Sequence, residues 1–140
     1  MKMILCFFYG LIFALSASAA ELSQADRSGI EKLVHEYLTA FDAADYPALK
    51  KCVTDEFIDL VGGEKHFKKE LKEKKPVTQA RQIEAIHIVR KTVGTFVQFN
   101  ITASGTHGAE IMADDDWFRV AKIAGSWKFQ RHETDFPLED

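Results

Sequence analysis

Cysteine is nearly absent from this sequence: of 140 residues only Cys6 and Cys52 carry a thiol. Cys6 falls in an apolar N-terminal stretch, so a chain that loses that stretch has no internal disulfide and must rely on core packing. There is no basic excess either. Eighteen Lys+Arg against 21 Asp+Glu give a formal charge of −3, which argues against nucleic acid as a partner, because phosphate binding needs a basic face. Long apolar runs are also missing. The longest, Ile4 to Leu15 broken only by Gly10, has about 12 residues where a membrane-spanning helix needs roughly 20. No nucleophile elbow, glycine-rich phosphate loop or Cys/His pair occurs. The five histidines show no metal-ligand spacing, and Asp114-Asp115-Asp116 lacks a calcium-binding loop around it. Neither a metal nor a cofactor is expected.

What is present begins with Met1-Lys2-Met3, the apolar run, and Ser16-Ala17-Ser18-Ala19-Ala20. A short basic region, an apolar region and small residues at −1 and −3 mark a cleavable signal peptide. We expect residues 1–19 to be removed, with cleavage after Ala20 as the alternative, and residues 20–140 to form one domain. No cysteine follows the small residues directly, so no lipid anchor is implied. The expected location is a bacterial periplasm or the medium, with no membrane association after cleavage. Chemistry there cannot lean on cytosolic nucleotide cofactors.

From Ser28 to Ala44 the residues Ile30, Leu33, Val34, Tyr37, Leu38 and Phe41 recur three and four apart. This predicts an amphipathic helix, capped by Ser23 or Asp26. Asp45 is expected to cap a short second helix carrying Leu49, Cys52 and Val53, with Pro47 in its first turn. Cys52 reads as a small buried hydrophobe; nothing local obviously lowers its pKa as a reactive thiol requires. Phe57 to Val61 reads as a short strand ended by Gly62-Gly63. Glu64 to Lys75 reads as a charged third helix with Phe67 and Leu71 inward, stopped by Pro76. Its interleaved Glu and Lys mark a solvated face. From Arg81 onwards the period falls to two, in Ile83/Ala85/His87/Val89, Val97/Phe99/Ile101, Phe118/Val120 and Trp127/Phe129. Short connections make the sheet antiparallel with helices on one face, an α+β arrangement.

The last hairpin turns at Ala124-Gly125. An even-length turn puts Phe118 opposite Arg131, Val120 opposite Phe129, Lys122 opposite Trp127 and Asp116 opposite Glu133, all on one face. That face is the expected pocket lining: Phe118, Val120, Trp127 and Phe129, with Asp116, Arg131 and Glu133 at its edge. Trp117, Arg119, Ala121 and Ile123 fall on the other face together with His132 and Gln130. A bulge would change these pairings.

Three phrases occur in order: Tyr37-Leu-Thr-Ala-Phe-Asp-Ala-Ala-Asp45 with Tyr46-Pro-Ala-Leu49, then Thr54-Asp-Glu-Phe-Ile-Asp-Leu-Val-Gly-Gly63, and finally Gly125-Ser-Trp-Lys-Phe129. In this order the chain resembles the nuclear transport factor 2-like superfamily, including its SnoaL-like and ketosteroid-isomerase-like members. The resemblance implies a cone, a strongly bent antiparallel sheet wrapped around three N-terminal helices with a pocket at the open end. It also implies a homodimer through the outer sheet face, which Trp117 would suit. Tyr37 matches the first-helix tyrosine that donates to an oxyanion in ketosteroid isomerases, whereas their catalytic carboxylate falls at Val61, which cannot take a proton.

Two classes of function remain. The favoured one is a non-catalytic exported domain binding a small hydrophobic or carboxylate-bearing ligand, the carboxylate gripped by the planar fork of Arg131. The alternative is an isomerase, dehydratase or hydrolase acting on a small hydrophobic substrate, with Asp59 or His87 as base and Tyr37 as hydrogen-bond donor. A protein-interaction module using the outer face is a further alternative.

Overall fold

A computed structural model of the chain describes residues 21–74, 82–101 and 117–133. The leader, Asp114 to Asp116 and the C-terminal tail lie outside the described residues. Helix α1, Gln24–Asp42, starts where the Ser23 hydroxyl accepts a hydrogen bond from the Asp26 amide at 3.1 Å, so of the two expected caps Ser23 is the one used. Its apolar residues at three- and four-residue spacing, Ile30 to Phe41, are all buried. The helix ends with Ala44 in the left-handed region (φ 53). There the Ala44 amide bonds the Phe41 carbonyl and the Asp45 amide bonds that of Ala40, a Schellman closure with alanine where glycine is usual.

Asp45 caps α2, Tyr46–Cys52, by accepting from the Ala48 amide, with proline in the first turn. The segment expected as a strand, Phe57 to Val61, is instead helical: α3 spans Asp55–Leu60. Thr54 accepts from the Phe57 amide, and Asp55 and Glu56 occupy the first turn, where negative charge meets the positive end of the helix dipole. The described residues thus form four helices where the sequence suggested three. Gly62 and Gly63, both at positive φ, turn the chain into α4, Glu64–Glu73, which buries Phe67 and Leu71.

The sheet is an antiparallel meander in the order β1-β2-β3-β4, with β1 Ile83–Lys91, β2 Gly94–Ile101, β3 Trp117–Ile123 and β4 Ser126–Glu133. Helix α1 packs against both β1 and β4. Those are the outer strands among the described residues, so the sheet curls around the helix as a cone does. Ile30, Val34, Leu49, Val97 and Phe129 form the driest part of the core between them, each at most 1 % exposed, and full burial of one such side chain contributes about 1.5–3 kcal/mol.

The β3–β4 hairpin decides which residues face the helices. Ala124 and Gly125 both have positive φ (50 and 83), the two-residue turn whose twist matches the strands. Near the turn the expected register holds, with Lys122 opposite Trp127 and Val120 opposite Phe129. The register then shifts between Val120 and Arg119, so Arg119 lies opposite Arg131, Phe118 opposite His132 and Trp117 opposite Glu133. Gln130 is the extra residue of a β-bulge, and beyond it every side chain of β4 changes face. Arg131 therefore leaves the inner face and His132 joins it, the reverse of the even-register expectation. The bulge is held from the helical side. The Thr54 amide donates to the Phe129 carbonyl at 3.0 Å, the Thr54 hydroxyl donates to the Gln130 carbonyl at 3.4 Å, and Gln130 Nε2 donates to Glu56 at 3.1 Å.

Candidate functional site

Between α1, α3, α4 and the far end of the last hairpin lies a cavity of about 130 Å³. Its apolar walls are Tyr37 and Phe41 from α1, Phe57 from α3, Phe67 and Leu71 from α4, and Phe118 from β3. Four-residue spacing on α1 and on α4 explains how each helix contributes a pair to one space. The rings interlock: Tyr37 meets Phe129 edge-on at 4.9 Å, and Phe129 meets Phe118 in the same manner at 5.3 Å. Val61, Glu70, Lys74 and His132 complete the lining.

The polar groups of this lining are placed by specific contacts. Lys74 Nζ donates to the Phe41 carbonyl at 2.7 Å and stands 4.3 Å from the Phe41 ring centroid. It brings positive charge to the C-terminus of α1, which has no basic residue in its own last turn. Glu70 pairs with His66 one turn earlier, at 2.9 Å. The His132 ring lies 5.0 Å from that of Phe118. Tyr37 is buried. Burial, with a smaller contribution from Cys52, pushes its pKa well above the ordinary value, so it stays a neutral donor.

The structure brings some of the sequence-derived candidates together and scatters the rest. Tyr37 and Phe118 line the cavity, Phe129 packs against both, and Val120 is buried in the adjoining core. Trp127 sits at the other end of α1, where its Nε1 donates to Asp26 at 3.3 Å; Gly29 makes room for it, since a Cβ there would lie 2.8 Å from Trp127 Cδ1. Asp59 is exposed on α3, and His87 is exposed opposite Gln98 on β1. Neither lines the cavity. Arg131 is on the outer face, and Asp116 lies outside the described residues. Sequence reasoning missed Glu70, Lys74 and His132. Glu70 and Lys74 are each a helical turn from Phe67 or Leu71, a signal that was available; His132 was hidden by the bulge. Among the described residues no group of three or more His, Cys, Asp or Glu comes together to hold a metal ion.

A shallower depression between α1 and α2 has Cys52 in its lining. The thiol donates to the Ala48 carbonyl at 3.6 Å, and burial pushes its pKa up to about 11.

No family model matches the chain, and no curated protein matches it. Among solved structures the chain is similar to a nuclear transport factor 2-like protein of unknown function from Shewanella baltica. The two share 14 % identity with a TM-score of 0.53, over 84 % of this chain and 100 % of that one. An open antiparallel sheet curled around N-terminal helices, and that likeness across most of both chains, agree with one another: this chain has the nuclear transport factor 2-like fold.

Proposed function

We propose that the chain is an exported small-molecule-binding domain whose ligand occupies the cavity beside Tyr37. The observation that carries this reading is a cavity walled by aromatic rings with Tyr37 in its lining and Glu70, Lys74 and His132 among its polar groups. An apolar space of 150 Å³ holds benzene and stays dry without it, so about 130 Å³ suits one ring or an aliphatic group of similar size. A polar substituent on that ring would meet the Tyr37 hydroxyl or the Lys74 and His132 side chains. The leader-like pattern from Met1 to Ala20 supports export, and the outer sheet face with Trp117 supports pairing with a second copy.

The acid/base alternative draws its support from His132 and Glu70, which line the cavity, instead of Asp59 and His87, which do not.

Titration of the domain with phenol, benzoate and toluene, followed by amide NMR, tests the binding reading. Saturable shifts at Tyr37, Phe57 and Phe118 are expected. Val61→Trp should fill the space and abolish them. Tyr37→Phe should weaken phenol about five- to tenfold, the worth of one hydrogen bond, and leave toluene unchanged without loss of fold stability. Absence of saturable shifts with all three compounds, or binding that survives Val61→Trp, would overturn the assignment.

A further inference from the structure

We propose that Arg119 and Arg131 form an oxyanion-binding site on the outer face of the sheet, taking a carboxylate or phosphate group. The inference is independent of the cavity. Its first ground is the register. Phe118 and Val120 point into the core, so Arg119 between them points outward, and the bulge sets Arg131 directly opposite it. Two like charges at opposed positions on one face repel, and a fold retains such a pair at little cost when an anion lies between them.

The second ground is that the anion supplied by the protein is not enough. Glu133 is shared by both guanidinium groups, 3.0 Å from Arg131 Nε and 3.6 Å from Arg119 Nε. Among the described residues one carboxylate stands against two arginines, which leaves a unit of positive charge there. Both Nε atoms are buried without a hydrogen bond, Arg119 Nε with Glu133 3.6 Å away and Arg131 Nε with Glu133 at 3.0 Å. Each guanidinium has five donors in a fixed fork, and the Nε–H of each has no acceptor among the described residues.

The third ground is preorganisation. Arg119 lies over the Phe96 ring at 5.2 Å from its centroid, and Phe96 is fully buried on the outer side of β2. A guanidinium restrained over an aromatic ring loses little entropy on binding. The side chains of Arg119 and Arg131 are 22 % and 38 % exposed, enough for an ion to reach them while bulk water is partly excluded and charge interactions strengthened.

The oxyanion can be a free small ion or an acidic side chain of a second copy, and the test separates them. Inorganic phosphate is titrated at constant ionic strength while the arginine Nε–Hε resonances are followed, with sedimentation measured in parallel. For a free ion, saturable shifts of Arg119 and Arg131 are expected in a monomer. For a second copy, phosphate should dissociate a dimer. In either case Arg119→Gln and Arg131→Gln should weaken the effect at least about tenfold, and Arg131→Lys, which keeps charge and loses the fork, should fall between. Glu133→Gln should strengthen it several-fold by removing the competing carboxylate, an outcome opposite to that of a purely structural ion pair. Linear, unsaturable shifts with no change in association, or phosphate effects indifferent to Arg119→Gln and Arg131→Gln, would overturn the proposal.

Discussion

Cys52 shows how position decides the chemistry of a residue type. The sequence offered it as a filler or as a reactive thiol, with Lys50 and Lys51 beside it. On α2 those lysines are exposed while Cys52 faces the core, 4 % exposed. Burial disfavours the thiolate, and Glu36 adds to the effect, so the pKa rises to about 11. At pH 8 the thiolate population is then about one in a thousand, against roughly one in four for an ordinary thiol with pKa near 8.5. Alkylation of the folded domain by iodoacetamide at pH 8 should therefore run at least about a hundredfold slower than that of the denatured chain. Mass spectrometry of timed quenches reads this directly, and comparable rates would show that the fold neither shields the thiol nor raises its pKa. Tyr37 is the complementary case. Its place on the inner face of α1 could be read from spacing, but the cavity it lines depends on residues from α3, α4 and the last hairpin.

What could be read from the sequence at the level of helices and strands was whatever local periodicity controls. The three- and four-residue spacing from Ile30 to Phe41, the Asp45 cap with Pro47 behind it, and the four strands, with the expected alternation of Val97/Phe99 in β2 and Phe118/Val120 in β3, reappear in the structure. Two things were not legible. Phe57 to Val61 is a short, mostly apolar run with β-branched Ile58 and Val61 that ends at two glycines, so it imitates a strand; the deciding signals were the Thr54 cap and the two acids after it, which favour a helix start. The bulge at Gln130 leaves no local trace, because its stabilising partners, Thr54 and Glu56, lie some 75 residues away in sequence. That one inserted residue exchanged Arg131 for His132 on the inner face and so changed the candidate site. Thr54 links the two features, since its hydroxyl caps α3 and meets the bulge. Thr54→Ala should cost about 1–2 kcal/mol in urea unfolding, and Thr54→Ser, which keeps the hydroxyl, should recover most of it. Because α3 carries Phe57 to the cavity wall, the alanine variant should also bind phenol more weakly. An unchanged midpoint would mean that neither hydrogen bond contributes.

With no disulfide, the domain is held by a sheet curled over α1, and that helix makes its first tertiary commitments just beyond the expected cleavage site. Leu22 packs against the core, Ser23 caps α1, and Asp26 joins the helix to the last hairpin through Lys122 at 2.9 Å and Trp127 at 3.3 Å. A chain of residues 20–140 should thus retain the full set of described contacts, whereas residues 28–140 should lose the cap, the Leu22 packing and the Asp26 anchor. Loss of the cap alone costs about 1 kcal/mol, so the shorter chain should melt at least roughly 4–8 °C lower at neutral pH. The hydrogen bond from Lys122, the largest influence on Asp26, holds its carboxyl below the ordinary value of 3.8. A depressed carboxylate stabilises the fold above that value, and the contribution is lost as pH falls through the lower folded pKa. The gap between the two chains should accordingly narrow below pH 3.8. If export occurs as proposed, the mass of the processed protein should place its N-terminus at Ala20 or Glu21, ahead of every one of these contacts. A product beginning at Met1 would overturn the leader reading, and one beginning after Ser23 would contradict the dependence of α1 on its cap.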